Sequence, residues 1–224
     1  MEKVIQFLQN LAANNNREWF NDNRERYEEN RNKVLFLTEV FINEIRKFDP
    51  GIPQLNPKDC MFRIFRDIRF SNDKRPYKTN FGSFISREGR KSEWPGYYFH
   101  IEPEGSFAGG GVYMPSAEPL KAIRLHIEKH PDEFLGILND PDFKKYFPEL
   151  MDHKLKTAPK GFSKDHEHIE LLRYKSYAFS HRIDNEPLTG DNFIEHTVNA
   201  FQKLYKMNAF LKEALENSIN KIGK

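Results

Sequence analysis

The stretch RIFRDIRFSNDKRPYKTN, residues 63–80, places six basic and two acidic side chains among residues typical of a protein core. Guanidinium groups bind phosphates and carboxylates through paired hydrogen bonds, and lysine adds a compact positive charge. In an extended conformation of residues 61–70, Arg66 lies on the same face as Ile64 and Ile68, because side chains alternate along a strand. A charge on an apolar face needs a partner or a bound anion. We therefore predict an anion site.

The residue types around this stretch predict how such a site works. Loops held by a rigid scaffold often carry binding residues, and the segment 71–80 has the composition of a loop. Asp67 and Asp73 are predicted to orient the cations, Tyr77 to stack or donate its hydroxyl, and His100 to transfer protons. The side chains predicted to bind the anion are Arg63, Arg66, Arg69, Lys74, Lys78 and Lys160.

Three alternatives stay open at this stage. A helical conformation would instead pair Arg63 with Asp67 four residues along. A structural role would pair the arginines with acids such as Glu18 or Asp22, leaving no open pocket. A nucleic-acid role would use the same cations with stacking aromatic residues. Those aromatic residues would be Tyr77, Phe81 and Phe84.

Two other patterns are weaker guides to chemistry. The glycines at 109–111 are followed by Val112 and not by Lys-Ser/Thr and a helix, so they do not form a phosphate loop. We expect them to admit a neighbouring backbone or ring. His126 and His130 stand four apart, but the sequence between them is not that of HExxH, and no acidic third ligand has recognisable spacing. We predict no metal and no cofactor.

The elements that position these residues follow from hydrophobic spacing. Apolar residues at helical intervals predict helices over 3–13 and about 23–48, another over 117–130, and one from Asp191 onward. Alternation in GYYFHIEP predicts a strand, with GSFAGGGVYMP as its hairpin partner and KSYAFSHRI as a further strand.

This order of elements predicts a single α+β domain over residues 1–224. We expect a central, mainly antiparallel sheet with helices from both chain ends packed around it. Helices are expected in residues 1–50, strands mainly in 60–114, and a mixture of both in 115–224.

Composition limits the partners and the compartment. The 35 basic and 33 acidic side chains give a net charge of only +2, whereas nucleic-acid-binding domains are usually clearly basic. The preferred partner is therefore an anionic small molecule. The single cysteine, Cys60, has apolar neighbours and is expected to be buried. A lone cysteine, no signal peptide and no long apolar run predict a cytoplasmic protein without a membrane span. The sequence gives no indication of the oligomeric state.

Four motifs occur together in this chain: NNNREWFNDNRERY, RIFRDIRFSNDKRPYKTN, YYFHIEP with GGGVYMP, and LKTAPKGFSKDH with LLRYKSYAF. Over nearly the whole chain they resemble the conserved-hypothetical family named domain of unknown function 2461. The family pattern R-D-x-R-F-S-x-D-K-x-P-Y-K resembles residues 66–78. The resemblance implies an α+β fold found in bacteria and fungi, and makes residues 66–78 and 158–162 family hallmarks. It implies no activity, substrate or cofactor.

Overall fold

Helices at the start of the chain form as the hydrophobic spacing predicts. The structure, a computed structural model, describes residues 1–183 and 192–222. Helix α1 (Glu2–Ala13) buries Val4, Phe7, Leu8 and Leu11, which lie along one side of the helix. The side chain of Asn16 then caps α2 (Arg17–Asp22) by accepting the backbone N–H of Trp19. Helix α3 (Arg24–Arg46) completes this group. The predicted helices over 3–13 and 23–48 are confirmed.

A four-stranded antiparallel sheet forms the centre of the fold, with the strands in sequence order. Its second strand alternates as predicted, so that Tyr97, Phe99 and Ile101 are buried while Tyr98 and His100 point to the opposite face. The predicted hairpin is also confirmed, since Tyr98 lies opposite Gly109. The strands are β1 (Phe81–Ile85), β2 (Gly96–Ile101), β3 (Phe107–Val112) and β4 (Tyr177–Arg182).

Helices from opposite ends of the chain cover one face of this sheet. The last helix, α9 (Phe193–Ile222), packs on β3, and α3 packs on β1. Phe41 of α3 makes edge contacts with both Phe99 of β2 and Phe201 of α9, at centroid distances of 5.0 and 5.5 Å. The aromatic residues of one sheet face therefore join the two ends of the chain in a single core, as the α+β prediction requires.

Shorter helices connect these parts. Ser116 precedes α5, but its hydroxyl does not cap the helix as predicted and donates to Glu93 instead. The predicted helix over 117–130 is otherwise confirmed, and Asp191, the predicted start of the last helix, lies outside the described residues. The connecting helices are α4 (Pro57–Cys60), α5 (Ala117–Lys129), α6 (Pro131–Asn139), α7 (Pro141–Tyr146) and α8 (Ile169–Leu172), with a 3₁₀ turn at Gly89–Lys91.

Cys60 is fully buried at the end of α4, as predicted. Burial, together with the negative charge of Asp59, raises the pKa of Cys60 to about 11. Because the thiolate is the reactive form, we expect the native protein to resist a disulfide reagent such as dithiobis-nitrobenzoate at about pH 8 and to react only after unfolding. Release of one equivalent of nitrothiobenzoate from folded protein, at the rate of a free thiol, would contradict this expectation.

Candidate functional site

The basic stretch begins as an extended segment beside the sheet. The backbone N–H of Phe62 donates to the Gly82 carbonyl of β1 at 2.9 Å. The chain then turns back on itself. The backbone N–H of Arg66 donates to the Pro76 carbonyl at 2.9 Å, and the backbone N–H of Lys78 donates to the Ile64 carbonyl at 2.8 Å. Antiparallel bridges at 61 with 83 and 65 with 77 complete the arrangement. The extended conformation preferred from the sequence is therefore confirmed for residues 61–66, and the helical alternative is wrong.

Three of the four arginines of this stretch bind acids of their own loop. Arg66 and Arg75 both contact the carboxylate of Asp73, at 2.5 and 2.7 Å, and Arg69 forms a bidentate pair with Asp67. Hydrogen bonds from Arg75 and Arg66 hold the pKa of Asp73 far below its ordinary value. Asp67 and Asp73, the two acids predicted to orient cations, therefore do bind arginines. The acids that pair with Arg66, Arg69 and Arg75 are these two, and not Glu18 or Asp22.

The other predicted residues occupy separate places. The ammonium group of Lys74 donates to the Ile68 carbonyl at 3.1 Å. Arg63 and Lys160 are exposed. Tyr77 is 5% exposed and stacks on Phe20 at 3.9 Å, with its backbone held by the side chain of Asn15.

Most of the predicted cations therefore do not converge on one cleft. Apart from Lys78 and His100, the predicted site residues do not line the cavity that lies on the sheet face opposite α3 and α9.

That cavity, of about 570 Å³, lies on the sheet face opposite α3 and α9. We call it the sheet cleft. Its floor includes Tyr98 and His100 of β2, and Lys78 lies at its side. A cavity of this size holds a drug-sized molecule. Its aromatic lining consists of Phe62, Phe84, Trp94, Tyr98, Phe107 and Tyr113. Its charged and amide lining consists of Lys78, Asn80, Arg90, Glu93 and His100.

A chain of hydrogen bonds runs along β2 at the floor of the sheet cleft. The hydroxyl of Tyr98 lies 2.9 Å from Nδ1 of His100, and Nε2 of His100 lies 3.2 Å from Oε2 of Glu102. Thr79 donates its hydroxyl to the other carboxylate oxygen of Glu102 at 2.8 Å. Tyr98, His100 and Glu102 are spaced two residues apart, which places their side chains on the same side of the extended chain. We call Tyr98, His100 and Glu102 the β2 relay.

Burial sets the protonation of the β2 relay. Desolvation lowers the pKa of His100, and although Glu102 opposes this shift, the positive charge of Lys78 adds to it. Burial, with the charge of Glu102, raises the pKa of Tyr98. At neutral pH the imidazole is therefore neutral and the phenol protonated. Tyr98 then donates to Nδ1, and Nε2–H donates to Glu102.

This arrangement matches the roles of a nucleophile, a base and an orienting carboxylate. His100 can accept the phenolic proton of Tyr98, and Glu102 stabilises the imidazolium that results. A bare Cα at Gly82 makes room for the tyrosine, since a methyl group there would collide with the Tyr98 hydroxyl.

Lys78 brings an uncompensated positive charge to the sheet cleft. Its ammonium group lies 5.6 Å from the centre of the Phe62 ring. Within residues 1–183 and 192–222, no carboxylate lies within ion-pair distance of it. Burial, together with the charge of Arg63, lowers the pKa of Lys78. A partly desolvated cation without a partner is a favourable position for a bound anion.

The β2 relay could have been recognised more fully from the sequence. The alternation in GYYFHIEP already places Tyr98, His100 and Glu102 on one face, yet only His100 was assigned a chemical role. Thr79 carries no sequence signal, because its contact with Glu102 depends on the fold. Among the residues that the structure describes, no group of three or more His, Cys, Asp or Glu side chains is placed to hold a metal ion. None of the described helices has the length and apolar character needed to span a bilayer.

Comparison with known proteins identifies a family and nothing more specific. A family model described as "Conserved hypothetical protein (DUF2461)" matches residues 3–210. The chain belongs to the DUF2461 family. No curated protein and no solved structure matches it. The part matched by DUF2461 extends from α1 into α9 and therefore contains the whole sheet cleft, the β2 relay and Lys78.

Proposed function

We propose that this DUF2461 protein binds, in the sheet cleft, a small molecule that carries a phosphate or carboxylate group, and that the β2 relay transfers a proton to or from it. The observation that carries the proposal is that Tyr98 and His100 of the relay line the same cavity as Lys78, whose ammonium group has no carboxylate partner in the described part of the chain. A proton relay next to a fixed positive charge suits a substrate that is negatively charged close to its reacting atom.

The lining of the sheet cleft indicates the chemical character of the ligand beyond its anionic group. Aromatic rings surround the cavity, so the body of the ligand is apolar or aromatic. Lys78 binds the anionic group, and Arg90 lines the same cavity while its guanidinium also donates to the carbonyls of Lys58 and Asp59. The buried lone cysteine supports a reducing compartment, and we place this function in the cytoplasm.

A melting-temperature screen of phosphates, nucleotides and aromatic carboxylates tests the proposal. A ligand at about 100 times its dissociation constant stabilises the fold by roughly 2.7 kcal/mol, which for a chain of this length raises the melting temperature by about 5–10 °C. We expect Lys78→Met to remove the shift, because methionine keeps an unbranched side chain of similar length and loses the charge. Arg66→Lys is the matched control, since Arg66 is bound to Asp73 outside the sheet cleft, and it should keep the shift.

Three results would contradict the proposal. One is a screen in which no compound moves the melting temperature of the wild-type protein. Another is a shift that Lys78→Met retains. The third is binding of single-stranded nucleic acid whose affinity falls steeply with salt, because that behaviour requires several phosphate contacts and would favour the nucleic-acid role.

A further inference from the structure

The basic stretch contains a loop that takes no part in the sheet cleft. An antiparallel bridge between Phe65 and Tyr77 closes this loop at its base. In the described part of the chain, every hydrogen bond made by residues 67–75 stays within residues 66–75. We call residues 63–77 the basic arm, and none of them lines the sheet cleft. The loop of the basic arm therefore keeps its shape through its own contacts.

Phe70 forms the apex of the basic arm. The backbone N–H of Ser71 donates to the Ile68 carbonyl at 3.4 Å, which closes a tight turn with Phe70 at its third position. The side chain of Phe70 is 95% exposed, more than any other large apolar side chain among the described residues. A single exposed ring is common on protein surfaces, so its meaning depends on the charges around it.

Cations lie beside the Phe70 ring. The guanidinium of Arg69 is 5.8 Å from the centre of the ring. The ammonium of Lys74 donates to the carbonyl of Ile68, at the start of the same turn, at 3.1 Å. The basic arm as a whole has five basic and two acidic side chains. It therefore carries an excess of three positive charges, whereas the net charge of the entire chain is +2.

Ion pairs inside the basic arm leave this excess in place. One carboxylate, that of Asp73, serves both Arg66 and Arg75. Arg63 and Lys74 are exposed, and neither has a carboxylate within ion-pair distance among the residues that the structure describes. The shared carboxylate holds the loop together, and the surplus cations attract an anionic surface.

We infer that the basic arm docks on the surface of a membrane that contains anionic lipids. Phe70 enters the boundary between the headgroups and the acyl chains, and Arg69 and Lys74 bind lipid phosphates beside it. The cytoplasmic leaflet of a membrane is negatively charged, which agrees with the compartment proposed above. This surface is independent of the function proposed for the sheet cleft.

Two other kinds of partner fit the basic arm less well. A protein interface of standard size covers about 800 Å² on each partner, far more than the apex of one loop presents. Single-stranded nucleic acid stacks successive bases on several rings. Tyr77 is buried against Phe20, and Phe65 packs on both rings. Within the basic arm, all of which the structure describes, Phe70 is therefore the one ring that stands clear of other rings.

Sedimentation with lipid vesicles tests the membrane contact. Vesicles made of equal parts phosphatidylglycerol and phosphatidylcholine should carry the full chain into the pellet, and vesicles of phosphatidylcholine alone should not. Added salt should release the protein, because it screens the attraction to the anionic surface. In the variant Phe70→Trp, brominated acyl chains should quench the emission of the added tryptophan, which reports that the apex of the loop enters the bilayer.

Substitutions at the apex identify the residues that make the contact. Phe70→Ser should weaken binding to the anionic vesicles about tenfold, the effect of losing one buried aromatic side chain. Lys74→Gln should weaken it about fivefold, the effect of one cation near an anionic surface. Phe36→Ser is the matched control, because Phe36 lies on α3 and is also an exposed ring, and it should bind like the wild type.

Circular dichroism verifies the fold of each variant, and the three serine and glutamine substitutions all replace exposed side chains. The membrane contact is disproved if the anionic vesicles do not sediment the wild-type protein. It is equally disproved if Phe70→Ser binds like the wild type, or if Phe36→Ser loses as much binding as Phe70→Ser. Binding of oligodeoxythymidine without binding to vesicles would assign the basic arm to nucleic acid instead.

Discussion

Replacing Gly110 with alanine is expected to lower the melting temperature by about 6–12 °C. A methyl group at this position would collide with the carbonyl oxygen of Gly96 on β2 and lie 2.6 Å from a methyl group of Leu204 on α9. The first contact is with backbone, which can move only if the pairing of β2 with β3 opens. Overpacking of this kind costs roughly 3 kcal/mol, and a chain of this length loses about 2–4 °C per kcal/mol.

Gly136→Ala is the matched control for this substitution. It adds the same methyl group in the middle of α6, where no heavy atom lies within 4 Å. Because alanine favours a helix over glycine by up to about 1 kcal/mol, the melting temperature should rise by about 2–4 °C. Thermal unfolding followed by circular dichroism measures both variants. A Gly110→Ala protein that melts within about 2 °C of wild type would contradict the close approach of β3 to β2 and α9.

The sequence predicts the local features of this structure well. Helices and strands follow from local spacing: four apolar residues in α1 fall on one side, and Tyr97, Phe99 and Ile101 alternate with polar partners. The glycines at 109–111 were expected to admit a neighbouring backbone, and their contacts confirm it. The partner backbone itself, that of Gly96 and of β4, could not be known before the sheet was assembled.

The site was harder to predict because charge alone does not identify a partner. Residues 61–91 carry nine basic and three acidic side chains, and this excess of positive charge favours an anion site at Arg66 and Arg69. Arg69 pairs with Asp67, and Arg66 pairs with Asp73, which it shares with Arg75; all of these residues lie in the same loop. Lys78, by contrast, lies among aromatic residues that come from distant parts of the chain. Such long-range contacts leave no trace in local spacing.

His100→Gln is expected to slow the modification of Tyr98 by benzenesulfonyl fluoride about 100-fold, the effect of losing a general base. In this reaction the phenolic oxygen attacks sulfur, the S–F bond breaks and fluoride leaves, while the proton passes to Nδ1 of His100. Peptide mass spectrometry reports each tyrosine separately. Tyr113, which is exposed at the same cavity, is the internal control and should react at the same rate in both proteins.

The pH dependence of this labelling follows from the pKa of His100. Burial lowers that pKa below its ordinary value of 6.5, so the imidazole remains a base at pH 6.5 and the Tyr98 rate should fall only in more acidic solution. Glu102→Gln removes the charge that opposes this shift, which makes the imidazole a weaker base. That variant should therefore label more slowly at neutral pH and keep its plateau to lower pH. Labelling of Tyr98 that is indifferent to both substitutions would mean that the hydrogen bonds along β2 only stabilise the strand and transfer no proton.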